Sequence, residues 1–241
     1  MKVKKKTILK RQAIINALLV TVILALSVTV FFAKPITEYA GSFNDEVIYK
    51  GNENSGGVAL TFNVYQNTDC VEKILSVLDK KSAKATFFLG GCWADDNVSV
   101  VNKIVQSGHE VGSHGYYHKD HAKLSYEENL TELKNTETLL YSIAGVKVRL
   151  FAPPSGSYQK DTLKACKTLG YRVIMWSNDT IDWRDQDKNL IIKRALKNPS
   201  QGNIVLMHPT PTTADALEFI IDGYRALSIE PKTLSEVIKG V

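Results

Sequence analysis

The chain is short of acidic residues at its start and short of cysteine throughout. No acid precedes Glu38, whereas six of the 30 basic residues lie in the first 11 positions, at Lys2, Lys4, Lys5, Lys6, Lys10 and Arg11. Beyond that tail, 24 basic residues stand against 25 acidic ones, a net charge of −1. The formal charge of +5 therefore belongs to the tail, and the composition of the rest of the chain gives no support to a basic groove of the kind that binds nucleic acid.

A long uncharged run follows the basic tail. Residues 13–33 contain no charge, and as a helix they span about 31 Å, the thickness of a bilayer core. The lysines before the run predict a cytoplasmic N-terminus (1–12), a single-pass signal-anchor helix in the cell membrane and an extracytoplasmic remainder. The alternative is a cleaved signal peptide, but the small residues near Ala40 and Gly41 make only a weak cleavage site.

Three cysteines in an oxidising compartment allow at most one disulfide bond. Cys70 and Cys92 are the better pair because both are expected at the top of neighbouring strands, and Cys166 is then left over. Three free thiols are an equally good expectation. None of the cysteines has the spacing of metal ligands.

The remaining sequence divides into a linker and one domain. Residues 34–57 are polar and rich in glycine, serine and asparagine, so they are predicted to be a stalk that adds nothing to the core. From residue 58 to 241, short β-branched runs alternate with amphipathic stretches such as Val71–Lys80 and Tyr126–Ile143, which indicates an α/β domain with parallel strands. The predicted strands are Val58–Phe62, Ala85–Leu89, Glu110–Ser113, Val148–Phe151, Arg172–Trp176 and Asn203–Met207.

Polar or rigid residues follow five of these strands. In parallel α/β barrels the loops at the carboxyl ends of the strands form the active site, so we expect these residues to meet at one face. They are Asn63, His114, His118, Pro153, Pro154, Asp179–Trp183 and His208.

Two histidines four residues apart stand out in this set. His114 and His118 are able to converge on one divalent ion such as zinc if the segment turns. The alternative is that they cap loops or satisfy buried groups. His121 is predicted to lie on the surface.

Four motifs together resemble one known family. They are EVGSHGYYH (110–118), FAPPSGSY (151–158), DTIDW (179–183) and IVLMHP (204–209). In this order and spacing they are similar to the polysaccharide deacetylases with a NodB homology domain, carbohydrate esterase family four, over residues 58–241. The resemblance implies a deformed (β/α) barrel of about seven parallel strands.

The resemblance also implies a reaction and its residues. A metal-bound water would attack the acetamide carbonyl of an N-acetylglucosamine or N-acetylmuramic acid unit in peptidoglycan. His114 and His118 match the metal ligands, His208 the acid that protonates the leaving amine, and Asp182 the carboxylate that orients it. The matches for substrate binding are Trp183 and Leu206 around the acetyl methyl, with Pro153, Pro154 and Asp179 nearby.

The chain departs from the family in its first motif. Where the family has Thr-Phe-Asp-Asp, this sequence has Thr61-Phe62-Asn63-Val64, so the usual base and the usual third metal ligand are both replaced. Asn63 is able to position a water by hydrogen bonding but does not accept its proton, and Val64 does not bind metal. Asp69 is the nearest carboxylate in the same loop that is able to complete the site, the alternative being a helix cap.

A second departure lies in the third motif. Ala152 occupies the place of the family's arginine, and Arg149 is expected on the other side of its strand. Both departures resemble a sporulation-associated branch of the family. Three functions follow: an exoplasmic deacetylase acting as a monomeric ectodomain, a catalytically impaired glycan-binding homologue, or a structural partner in a wall assembly.

Overall fold

The structure is a computed structural model, and it describes residues 47–241. The predicted basic tail, the predicted membrane helix and residues 34–46 of the predicted stalk lie outside this range. Within residues 47–241, no helix has the length and apolar character needed to cross a membrane.

Eight short parallel strands form one curled sheet surrounded by helices. The strands are β1 (Gly57–Val64), β2 (Thr86–Leu89), β3 (Glu110–Ser113), β4 (Leu150–Phe151), β5 (Arg172–Val173), β6 (Asn178–Asp179), β7 (Ile204–Met207) and β8 (Glu230–Lys232). Seven of them follow the order β5-β4-β3-β2-β1-β7-β6, and β8 pairs with the start of β1. This is the deformed α/β barrel that the sequence predicted.

The helices fill the connections between strands. They are α1 (Thr68–Lys80), α2 (Gly91–Asp96), α3 (Val98–Gln106), α4 (Tyr126–Ala144), α5 (Lys160–Leu169), α6 (Lys188–Ala195), α7 (Pro211–Arg225) and α8 (Leu234–Val237). Ser125 and Glu128 form a capping box at the start of α4, and Gly145 ends that helix with a left-handed backbone.

The alternation of β1 divides the core in two. Val58, Leu60, Phe62 and Val64 belong to the large outer cluster between sheet and helices. Ala59 belongs to the inner cluster, with Phe88 of β2 and Ile204 of β7. Because side chains alternate along a strand, Thr61 and Asn63 share the inner face with Ala59.

The end of the predicted stalk is part of the domain, so that boundary is wrong. Ile48 is buried and bridges to Ile174, beyond β5. The Gly51 amide donates to the Gly202 carbonyl at 2.7 Å, and the Asn52 amide donates to the Val237 carbonyl at 2.8 Å. These apolar and backbone partners attach residues 47–57 to the barrel.

The three thiols are all free. Cys70 and Cys166 are buried and Cys92 is exposed, and no disulfide joins Cys70 to Cys92. The expectation of three free thiols is the one that the structure matches.

Candidate active site

The functional residues meet at the carboxyl ends of the central strands. Asn63 is the penultimate residue of β1, His114 follows β3 directly, and His208 follows β7 directly. β1 and β7 pair with Phe62 opposite Met207, so Asn63 and His208 continue the same register. The convergence of loops that the sequence predicted is therefore present at these strand ends.

His208 is joined to a buried carboxylate. Its Nδ1 lies 2.8 Å from Asp182 Oδ1, and its backbone amide donates to Asp182 Oδ2 at 2.7 Å. The carboxylate only accepts, so Nδ1 carries the proton and Nε2 is left for a ligand. The expected contact between His208 and Asp182 is present.

Thr213 is a third donor to the same carboxylate. Its hydroxyl donates to Asp182 Oδ2 at 2.6 Å, and both residues are fully buried. Sequence analysis did not identify Thr213. It lies three residues after Thr210, the N-cap of α7, and the run of threonines immediately after His208 is the only sequence signal for it.

The turn that carries Asp182 is held locally. Ile181 has a left-handed backbone (φ 53°), which is strained for a β-branched residue. The carboxylate of Asp179 accepts a hydrogen bond from the Ile181 amide at 2.8 Å, and so stabilises this turn. Asp179 thus has a local role, and its predicted contact with substrate stays a prediction.

His114 is a neutral imidazole with one nitrogen fixed. It is 1% exposed, and its Nδ1 lies 2.6 Å from the Ala152 carbonyl, to which it must donate. Burial, reinforced by the neighbouring His118, lowers the pKa of His114 from 6.5 to about 3. Nε2 of His114 therefore keeps its lone pair at neutral pH, which is the form that binds a metal ion.

His118 lies beside His114 and beneath a tyrosine. The two imidazole centres are 5.0 Å apart with an angle of 64° between planes, and burial also lowers the pKa of His118. Tyr65 stacks on His118 with ring centres 3.8 Å apart and lies 6.2 Å from the ring of His114. Sequence analysis did not identify Tyr65, although it directly follows Val64 of the altered first motif.

The donor set is incomplete for a catalytic zinc site. Two imidazoles that share a tetrahedral ion at ~2.1 Å have ring centres roughly 5 Å apart, so His114 and His118 by themselves are suitably spaced. Such a site takes three protein ligands, however, and the described residues contain no group of three His, Cys, Asp or Glu side chains able to hold an ion. Val64 is fully buried in the outer cluster.

The proposed third ligand, Asp69, does not join the histidines. It is exposed in the first turn of α1, where a negative charge favours the helix dipole. It is not the N-cap either, because Asn67 occupies that position. Among the described residues, no group of three His, Cys, Asp or Glu side chains able to hold an ion includes Asp69, so this arrangement does not form the predicted site.

Asn63 has an unsatisfied polar atom. The residue is 3% exposed, and its Oδ1 has no hydrogen-bond partner in the structure. A buried unpaired oxygen costs about 1–3 kcal/mol, and a bound water or ligand group that donates to it would remove that cost. Asn63 is thus suited to hold a polar ligand, as the sequence predicted for a water.

The predicted substrate-binding residues differ in exposure. Leu206 is buried on β7, whereas Trp183 is 59% exposed. Pro153 and Pro154 are buried in the loop after β4, where the Pro153 carbonyl accepts from the Gly156 amide at 2.9 Å. Their contacts with substrate stay predictions.

Two further expectations concern residues beside the site. His121 is fully buried, so the prediction of a surface residue is wrong; its Nδ1 pairs with Asn129 Oδ1 at 2.7 Å, and its ring packs on Phe151. Arg149 forms an ion pair with Glu137, in keeping with its expected direction away from the site.

Comparison with known proteins gives consistent matches. The sequence model of the polysaccharide deacetylase family matches residues 50–174. The uncharacterised protein YlxY of Bacillus subtilis is 37% identical over 82% of this chain and 62% of its own length. A peptidoglycan-N-acetylglucosamine deacetylase of Bacillus cereus is 33% identical over 72% of this chain and 65% of its own length. The chain thus spans less than two thirds of each of these relatives.

A solved structure with the same fold is that of a pseudoenzyme. BA3943 of Bacillus anthracis, a CE4 family pseudoenzyme, superimposes with a TM-score of 0.77 at 35% identity. The match covers 80% of this chain and 69% of that one.

Proposed function

Because this chain belongs to the polysaccharide deacetylase family, we propose that it binds N-acetylated sugars of a cell-wall glycan and slowly hydrolyses their acetamide groups. The observation that carries the proposal is the His208–Asp182 pair. A buried carboxylate with three donors holds the imidazole in one tautomer, and a histidine oriented in this way is suited to act as a general acid. Its relatives include a peptidoglycan-N-acetylglucosamine deacetylase, which supports the substrate class.

His208 would act at the leaving nitrogen. In its protonated form it gives the Nε2 proton to the amine as the carbon–nitrogen bond breaks, and acetate is released. The attacking water must lose a proton, and we assign its acceptance to the neutral, half-buried imidazole of His118. No step is assigned to a metal ion, because the described donor set does not fit one.

Turnover is expected to be slow for a physical reason. Asn63 stands where the family has its base, and an amide does not accept the proton. A positioned base is worth roughly 10²–10⁴ in rate, and His118, whose pKa is lowered by burial and which is therefore a weaker base, replaces only part of that factor.

The second candidate is a glycan-binding homologue without turnover. It is favoured by Asn63 and Val64 together, which remove both carboxylates of the first motif. The similarity to a CE4 family pseudoenzyme is further support for it. In this case the same residues bind the N-acetyl sugar and no bond is broken.

Acetate release separates the two candidates. The full-length protein, His208→Ala and Asn63→Asp would be incubated with N-acetylchitooligosaccharide and with peptidoglycan. Hydrolysis predicts measurable acetate from the wild type, a fall of about 10² or more in His208→Ala, and a rise in Asn63→Asp.

Other results decide for the alternative or against both. Retention on insoluble wall polymer without acetate from the wild type would establish the binding homologue. Neither acetate nor retention would refute both proposals.

The placement of the domain outside the cell membrane is also a proposal. The uncharged run 13–33 and the lysines before it support a single-pass anchor with the domain outside the cell membrane, where the glycan lies. Protease protection of the N-terminus in intact cells, together with cleavage of the domain from outside, would test this orientation.

A further inference from the structure

The loop that carries both histidines has its backbone held from two sides. We call residues 114–119 the histidine loop. On one side, the Gly91 amide donates to the Gly115 carbonyl and the Cys92 amide to the Tyr116 carbonyl, each at 2.9 Å. These donors are the first amides of α2, which have no partner inside their own helix.

On the other side, one carboxylate takes two amides of the same loop. Glu132, on the buried face of α4, accepts from Tyr116 N and Tyr117 N, both at 2.8 Å and both with Oε2. Its Oε1 lies 3.3 Å from the ammonium group of Lys119. The side chain of Glu132 is 3% exposed.

A buried carboxylate is costly unless its partners are good. Removing it from water costs several kcal/mol, and charge-assisted hydrogen bonds to amides and one cation offset this. Glu132 lies in the middle of α4, where a charge gains little from the helix dipole, so the stability of α4 does not depend on it. The hydrogen bonds and the ion pair of the Glu132 carboxylate all go to residues of the histidine loop.

The same loop contains a strained residue. His118 has φ 53°, the left-handed region, which costs of order 1 kcal/mol for a residue other than glycine. Such a conformation persists when surrounding contacts determine it, and the two amides just before His118 are the ones that Glu132 holds. Gly115, in the same loop, is also closely packed, since a Cβ there would lie 2.8 Å from His121 Nε2.

We propose that Glu132 is a positioning residue that sets the ring of His118 against those of His114 and Tyr65. It touches no substrate and acts through the backbone of Tyr116 and Tyr117. The proposal rests on the proposed function only in treating His114 and His118 as site residues. It predicts that the relative placement of the two imidazoles depends on the hydrogen bonds of Glu132.

The test is the imidazole NMR spectrum of the full-length protein in detergent at pH 8, where both rings are neutral. Loss of one signal in His118→Gln assigns His118. Stacking under Tyr65 should place that signal upfield of free histidine. Glu132→Ala should move it towards the free value, whereas Glu132→Gln should keep it, because one amide oxygen is able to accept both N–H groups.

Two controls separate positioning from general stability. Glu127→Ala changes an exposed glutamate on the same helix, and Lys119→Met removes only the cation; both should keep the His118 signal. If Glu132→Ala does not fold, Glu132→Asp replaces it, since its carboxylate is one methylene short of the loop and should shift the signal.

The outcomes are distinct from those for turnover. A wild-type His118 signal in Glu132→Ala, or in Glu132→Asp, would overturn the proposal. Equal displacement in Glu132→Gln and Glu132→Ala would also overturn it, because charge and not hydrogen bonding would then hold the loop. Neither result depends on whether the protein releases acetate.

Discussion

Replacing Thr213 by valine tests how the carboxylate beneath His208 is held. Valine has the shape of threonine, so the change removes one hydroxyl from a fully buried position. Asp182 Oδ2 then loses a donor at 2.6 Å and keeps only the His208 amide. Thr210, whose hydroxyl lies 2.8 Å from that of Thr213, loses its acceptor as well.

The expected cost follows from these contacts. A hydrogen bond to a charged group contributes about 1.5–3 kcal/mol, and an additional buried methyl group returns about 0.8 kcal/mol. With the second hydroxyl left unpaired, we expect Thr213→Val to lower the free energy of unfolding by about 2 kcal/mol. For a domain of this size that is a fall of roughly 4–8 °C in Tm. If the protein releases acetate, Thr213→Val should release it roughly 10-fold more slowly, because the loss of a hydrogen-bond partner that orients a functional group typically costs at least that factor.

Thermal and urea unfolding of matched variants measure the effect. Thr213→Ser keeps the hydroxyl and should stay close to the wild type. Thr212→Val alters the adjacent residue, whose hydroxyl bonds only to Gln186 at 3.2 Å, and should change stability by less than about 0.5 kcal/mol. A Thr213→Val protein within 0.5 kcal/mol of the wild type, or one matched by Thr212→Val, would refute the reasoning.

Three further outcomes are expected. His109→Phe should be more stable than the wild type by up to about 2 kcal/mol at pH 5. Burial lowers the pKa of His109 from 6.5 to about 4, so between these values the unfolded chain binds more protons and the stability of the wild type falls as the pH falls, which denaturant unfolding across that range measures. Asp69→Asn should leave zinc uptake in equilibrium dialysis at the wild-type level, because Asp69 is exposed, whereas His114→Ala should lower it; a loss of uptake in Asp69→Asn would contradict this placement of Asp69. Gly91→Ala should lower Tm, since its Cβ would lie 2.3 Å from the ring of Tyr116, and an unchanged Tm would contradict that contact.

Much of the barrel could be predicted because its signals are local. β1, β2 and β7 are short runs rich in β-branched, aliphatic or aromatic residues, and β3 and β7 are each followed directly by a histidine. Parallel strands bring their carboxyl ends together, so the sequence order alone was enough to group Asn63, His114 and His208. Shorter pairings such as β6 and β8 were not predicted, because two or three residues carry no measurable period.

Partners across loops could not be predicted. Glu132 lies 15 or 16 positions from the amides it accepts, and Thr213 lies 31 positions from Asp182. Nothing in their immediate sequence distinguishes them from an exposed helix glutamate and a capping threonine. Their burial follows from the way α4 and α7 pack on the sheet.

The same division applies to the altered first motif. That Asn63 and Val64 lack carboxylates is a property of the sequence alone, and so is the persistence of His114, His118, Asp182 and His208. Only the tertiary structure places Val64 in the outer cluster, leaves Asn63 Oδ1 unpaired, stacks Tyr65 on His118 and keeps Asp69 exposed. Residue type determines which chemistry a side chain is able to perform, whereas strand alternation and loop packing, which depend on distant parts of the chain, determine which side chains meet.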